Sequence, residues 1–316
     1  MTTVSTTTRQ VGGQRPPLDL RRRARPGERI IETVLLLCGM ISIVTTVAIV
    51  YTLVSNGLDF FRDFDAVDFF TGTVWQPKGA PQLFGVLPLL GGTLLVSAVA
   101  LAVALPLGLG AATYLSEYAR PGVRRILKPV LEILAGVPTV VYGYFALRTV
   151  TPLLQSILGD EKVSIFNALS AGLVMGIMII PTIASLSEDA MSAVPQSLRE
   201  GAFGLGCGRR RVATRVVIPA ALSGIAASVI LGISRAVGET MIVAVAAGST
   251  PNLTLDVRES IQTMTGYIAQ VSLGDSQQGT VDYQSIFAVG LTLFAMTLVL
   301  NLLSQRFVTR FRQVYQ

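Results

Sequence analysis

Four stretches of this 316-residue chain, at 33–58, 79–116, 163–187 and 283–305, contain no charged residue at all. A helix rises about 1.5 Å per residue and a bilayer's hydrocarbon core is about 30 Å thick, so roughly 20 consecutive apolar residues cross it. Each of the four is long enough. Two more stretches meet the same length with isolated charges: 129–159 carries Glu132 and Arg148, and 216–255 carries Arg235 and Glu239. A hydrophobic share of 51% and a mean hydropathy of +0.60 lie on the apolar side of a soluble domain. The fold class is therefore all-α: a polytopic membrane protein with six transmembrane helices, expected near 32–55, 88–115, 129–158, 164–190, 217–248 and 283–306.

The basic residues set the expected orientation. Nineteen of the 25 fall in four groups that alternate spans would place on one side, among them seven arginines in the first 29 residues, Arg120 to Lys128 after the second span, and Arg199 with Arg209, Arg210, Arg211 and Arg215 after the fourth. The positive-inside rule then puts both termini in the cytoplasm, with six spans between them. This clustering accounts for the net charge of +6 without nucleic acid. Residues 1–31 read as a disordered basic tail, and 32–316 as the transmembrane domain. The first apolar stretch is long enough to remain as a span instead of being cleaved as a signal. Cys38 is expected in a span and Cys207 in a cytoplasmic loop, which topology keeps apart. Histidine is absent. With no Gly-x-Ser-x-Gly elbow and no intramembrane aspartate pair either, the sequence weighs against an intramembrane enzyme such as a protease or lipid-modifying transferase. A passive channel or ion-coupled carrier is a more distant alternative.

Two outer loops are expected. The loop at 56–87 mixes Asp59, Asp63, Asp65 and Asp68 with Phe60, Phe61, Phe64, Phe69, Phe70 and Trp75, and reads either as an interfacial aromatic belt or as a docking or gating surface. The loop at 249–282 holds an apolar patch at Met264, Tyr267 and Ile268, and reads as a short re-entrant or surface helix. Gly108, Gly110, Gly136 and Gly143 are expected where helices approach closely, and Pro106 and Pro138 where they kink.

The most informative cytoplasmic segment is 191–216. Ser197 and Glu200 have capping-box spacing, so a short helix is expected to begin there and to stop among Gly204, Gly206 and Gly208 before a second element enters the membrane. The chain contains no Gly-Lys pair, hence no phosphate-cradling P-loop.

Arg235 and Glu239 form the second constellation. Counted from Pro219 the arginine lies about 24 Å along a helix, in the outer half of the bilayer. A central charge costs roughly 2.5–3.5 kcal/mol even on insertion scales, so both residues should face protein or a wet cavity. Spaced i and i+4, they would share one helix face and either lock helices as an ion pair or serve cargo. A guanidinium fork matches two oxygens of a tetrahedral oxyanion. A carboxylate accepts a hydrogen bond from a protonated phosphate, or holds Arg235 between passages; sulfate offers no such proton. Arg148 is a second candidate contact, although its distance from Lys128 equally suits a snorkelling arginine.

Segment 194–219 resembles the cytoplasmic motif of permeases from binding-protein-dependent ABC importers, Glu-Ala-Ala, three residues, Gly, nine residues, then Ile-x-Leu-Pro. Glu200, Ala202, Gly206 and Pro219 match, while Gly201, Val216 and Ile218 are conservative departures. Segments 73–77, 89–94, 136–143 and 234–243 are similar to the phosphate permeases of the PstC family, and much of the pattern is shared with the sister PstA family. The resemblance implies a type I ABC importer permease, multi-pass in the plasma membrane of a bacterium, that forms half of a phosphate path. It implies that Arg199, Glu200, Gly201, Ala202 and Gly206 couple to an ATPase, and that Arg235, Glu239 and Arg148 contact phosphate. It also implies the partners: a PstA-like second permease, two PstB-like ATPase subunits that use ATP and magnesium, and a PstS-like extracytoplasmic binding protein. A permease for another oxyanion such as sulfate is the alternative within the family. No cofactor is expected on the chain itself.

Overall fold

The computed structural model describes residues 26–274 and 280–311. The chain divides into two compact units, 1–50 and 51–316. In the first, the described part is the opening of helix α1 (Pro26–Asp63). Its apolar side chains, Ile30, Leu35, Ile41 and Val47 among them, are exposed around the whole helix. Such a helix needs hydrocarbon on every side. It begins at Pro26, inside the stretch expected to be a disordered tail; residues 1–25 lie outside the described residues.

The second unit starts with the end of α1, followed by α2 (Ala66–Thr71) and a two-stranded antiparallel hairpin of β1 (Trp75–Gln76) and β2 (Leu83–Phe84), with Trp75 opposite Phe84. Asp65 caps α2 by accepting from the Val67 amide at 2.8 Å. Helix α3 (Leu87–Thr113) carries Pro106 inside it and runs on as a π-helical turn, Tyr114–Tyr118.

The expected third span is broken. It is α4 (Pro121–Ala135), then α5 (Thr139–Phe145), a π-helical turn Ala146–Val150 and α6 (Thr151–Leu158), with an 87° bend between α4 and the rest. Gly136 ends α4, and Pro138, which cannot donate into a continuing helix, starts the new direction. Helix α7 (Ala168–Ser192) is unbroken. After it come α8 (Gln196–Gly204), α9 (Arg209–Val212), a π-helical turn Ala213–Val217, α10 (Ile218–Ala220), α11 (Leu222–Gly238), α12 (Met241–Ala246), α13 (Met264–Leu273) and α14 (Val281–Phe311). The segment leading into α11 meets it at 73°. Among the described residues four helices are long and apolar enough to cross a membrane, or up to six where each bent pair is one span.

Helix α7 is the centre of this unit. It packs most extensively on α3, where a Cβ at Gly172 would lie 2.6 Å from Val99 and one at Gly176 would lie 2.8 Å from the Ala100 carbonyl. Two glycines four apart let the backbones approach, as small residues do between helices in lipid. Gly108 sits equally close to Ile183, and Gly143 packs on α12, whereas nothing crowds Gly110. The Ser187 and Ser228 hydroxyls, 2.6 Å apart, join α7 to α11.

Much of the aromatic loop turns inward instead of lining a surface, although Phe70 stays exposed. Phe60, Phe69, Trp75, Phe84 and Tyr267 are buried in a single cluster with Met264 and Leu89, edge to face for the most part, with Trp75 and Tyr267 centroids 4.9 Å apart. Burying rings against rings is worth more than leaving them at a surface. The cluster clasps α13, the helix expected in the second outer loop. Thr263 caps α13, and its Met264 amide donates to Thr93 on α3 at 3.0 Å.

Candidate functional site

Arg235 lies in the last turn of α11, where a cation complements the helix dipole. Its Nη1 donates to Thr182 Oγ1 of α7 at 2.9 Å. Because the chain bends just before Leu222, the helix that carries Arg235 is shorter than counted from Pro219. The 13 residues from Leu222 amount to about 20 Å.

Glu239 does not share that helix face. Helix α11 stops at Gly238, and Glu239 has extended backbone, φ −68° and ψ 131°. Its Oε1 accepts from the Met241 amide at 3.0 Å and the Ile242 amide at 3.3 Å, capping α12. Its carbonyl accepts from Thr265 Oγ1 of α13 at 2.7 Å. No ion pair joins Arg235 and Glu239 among the described residues. The i, i+4 expectation fails because the helix breaks: a carboxylate placed before α12 satisfies amides that a continuous helix would have left without need of it. The break is nonetheless where α11, α12 and α13 meet, with Arg235 and Glu239 both half-buried. Arg148 is elsewhere, exposed on the π-helical turn between α5 and α6.

On the hairpin side a cavity of about 670 Å³ opens between the hairpin and α13, lined by Trp75, Lys78, Gln262, Tyr267, Gln270 and Asp282 among others. Burial pushes the Tyr267 phenol up to about 12, so it stays neutral, 2.7 Å from the Ser285 hydroxyl.

At the α8 end, Pro195 and not Ser197 precedes the helix, and no side chain caps it. The stop is as expected. Gly206 takes φ +79°, the Cys207 amide donates to Ala202 O at 3.1 Å and the Gly206 amide to Phe203 O at 2.9 Å, a Schellman closure that a left-handed residue permits. Glu200, Gly201, Phe203 and Leu205 are exposed, Leu205 at 86%, and space is open around Gly201, Gly204, Gly206 and Gly208. Arg199 points the other way. Its side chain, 12% exposed, pairs with Glu117 at 3.1 Å and donates to the Met191 and Val194 carbonyls at 2.7 and 2.5 Å.

Sequence reasoning missed Glu188. This buried carboxylate near the end of α7 receives Arg124 and Lys128, both from α4, and the Ser192 hydroxyl. Its only signal was an acid close to the end of an apolar stretch.

A profile of the binding-protein-dependent transport system inner membrane component family matches residues 104–313, from the middle of α3 through α14. The chain belongs to this family. Among its curated relatives is a probable ABC transporter permease protein, YqgH of Bacillus subtilis, 34% identical over 84% of this chain and 86% of that protein. The phosphate transport system permease protein PstC of Haemophilus influenzae is 30% identical over 90% and 94%, and that of Mesorhizobium japonicum 32% identical over 77% and 78%. The fold recurs in a bacterial ABC transporter involved in import of the acidic polysaccharide alginate, with TM-score 0.61, 16% identity and coverage of 92% of this chain and all of that one. It recurs also in an inward-facing MetNI methionine transporter, with TM-score 0.52, 18% identity and coverage of 72% and 94%. As a member of the inner membrane component family the chain is a multi-pass bacterial membrane protein and a transport permease.

Proposed function

We propose that the chain is a permease subunit of an ATP-driven phosphate importer, pairing with a second permease and forming half of the path. The observation that carries this reading is the broken helix at 238–241, which presents an arginine and a carboxylate within a chain whose relatives include PstC permeases. Discontinuous helices near the middle of the membrane commonly build transport sites, because irregular backbone is tolerated there only against protein or water.

In this reading Arg235 offers its remaining guanidinium N–H groups to two oxygens of a passing phosphate. Glu239 has one oxygen engaged by the α12 amides and with the other accepts a hydrogen bond from the O–H of a protonated phosphate, which disfavours sulfate. Arg148 belongs to the path only if the second permease covers its exposed face. At the other end Glu200, Gly201, Ala202 and Gly206 form the surface on which an ATPase subunit docks, and Arg199 holds that surface in place. Two ATPase subunits and an extracytoplasmic phosphate-binding protein complete the assembly, and ATP with magnesium is used on the ATPase.

The test is labelled-phosphate uptake into cells expressing the assembled importer with Arg235→Ala at normal abundance. Uptake should fall to background; undiminished uptake removes Arg235 from the path. A preference for sulfate in the unmodified importer overturns phosphate as the substrate.

A further inference from the structure

The buried carboxylate of Glu188 has no place in the phosphate path, and its surroundings are unusual. Its side chain is 1% exposed near the end of an apolar span, where an unpaired charge is costly. Oε1 accepts from Arg124 and, at 2.9 Å, from Ser192; Oε2 accepts from Lys128 at 2.9 Å. Lys128 also reaches Asp189 at 2.7 Å. Both cations come from α4, one turn apart, so α4 cannot leave α7 without stranding Glu188.

The next turn of α7 holds α8. Arg199 donates to the Met191 and Val194 carbonyls, three and six residues beyond Glu188, and also pairs with Glu117 at the end of α3. Thus α4 and α8 are fixed to one short stretch of α7. From there α4 leads across its 87° bend into α5, and Gly143 of α5 packs against the first turns of α12, with a built Cβ 3.2 Å from both the Met241 carbonyl and the Ile242 Cα. Those are the residues whose amides Glu239 caps. One contiguous set of contacts therefore joins α8 to the broken helix.

We propose that Glu188 is a positioning residue for energy coupling: it clamps α4 to the α7–α8 corner, so that displacement of α8 passes through the α4–α5 bend to the break at Glu239. The proposal rests on the reading of α8 as the ATPase-docking surface.

The experiment uses the complete importer, purified with its ATPase and reconstituted into vesicles with phosphate-loaded binding protein, and reads phosphate taken up per ATP hydrolysed. In Glu188→Gln, which keeps the shape and removes the charge, hydrolysis should continue while uptake per ATP falls about 5- to 150-fold, the span of ordinary coupling energies. The double variant Arg124→Gln with Lys128→Gln should show the same loss, because it opens the clamp from the other side. An unchanged ratio in Glu188→Gln overturns the proposal. So does a parallel fall of uptake and hydrolysis in proportion to the amount of complex assembled, since that is what a merely structural residue gives. Glu200→Lys separates the two readings. If it leaves the ATPase bound and uptake normal, the docking assignment of α8 fails; if it releases the ATPase while the Glu188→Gln ratio is unchanged, only the coupling role of Glu188 fails.

Discussion

Arg235 and Thr182 are joined by a 2.9 Å hydrogen bond from Nη1 to Oγ1, so the arginine at the end of α11 is aimed by α7. The bond uses one donor of a guanidinium that has five, which leaves the fork available to an anion while fixing where it points. An ion pair with Glu239 would have occupied the same face and neutralised it.

Arg235→Lys keeps the charge and loses the planar fork, whereas Thr182→Val keeps the fork and loses its guide. Hydrogen bonds to charged groups are worth about 1.5–3 kcal/mol, or roughly 10- to 150-fold in rate or affinity. Initial rates of labelled-phosphate uptake should drop into that range for Arg235→Lys. They should drop less for Thr182→Val, because a half-buried arginine can recover a water. Equal rates for Arg235→Lys and the unmodified protein would refute bidentate contact.

Glu239 serves two purposes that two substitutions separate. Glu239→Gln retains an oxygen for the Met241 and Ile242 amides, so thermal stability should stay close to that of the parent while phosphate uptake falls. Glu239→Ala removes the cap as well, at a cost of about 0.5–2 kcal/mol, and should lower the unfolding temperature in detergent. Equal stability of the two variants would mean that the cap contributes nothing.

Trp75 is 3% exposed and its Nε1 has no hydrogen-bond partner among the described residues. Trp75→Phe therefore loses volume without breaking a polar contact, and should cost clearly less than truncation to alanine, because the smaller ring still fills most of the site. Trp75→Ala empties the cluster that clasps α13 and should cost about 3–5 kcal/mol. Thermal unfolding followed by tryptophan-independent probes distinguishes them. A large loss for Trp75→Phe would show a polar role for the indole.

The spans at α3, α7 and α14 were legible because charge-free runs of that length have one outcome in a bilayer. The stop at Gly206 was legible because its spacing belongs to a motif with a defined backbone. What escaped were the breaks. Val237-Gly238-Glu239-Thr240 sits inside the apolar run 216–255 and holds no proline to mark a stop, and the break shows only in the contacts made there, the α12 amides on Glu239 Oε1 and Thr265 on the Glu239 carbonyl. Likewise Arg199 read as part of the coupling motif, yet it turns inward to the Met191 and Val194 carbonyls just before α8 and to Glu117, 82 residues earlier in the chain. A partner as distant in sequence as Glu117 leaves no local pattern.

The exposed and inward faces of α8 yield opposite outcomes when altered. Glu200 is exposed and makes no ion pair among the described residues, so Glu200→Lys should leave folding unaffected, within about 0.5 kcal/mol as ordinary surface changes are. Its effect should be confined to ATPase association, read by co-purification. Arg199→Ala removes three hydrogen bonds from a side chain 12% exposed and strands Glu117, itself 9% exposed. Breaking such a buried pair ordinarily costs about 3–5 kcal/mol, so the variant should assemble poorly. Glu117→Gln with Arg199→Met removes both charges and should restore assembly, although the Met191 and Val194 carbonyls then lose their donor. If Arg199→Ala assembled normally and failed only to bind ATPase, Arg199 would belong to the docking surface, and its inward contacts would be incidental.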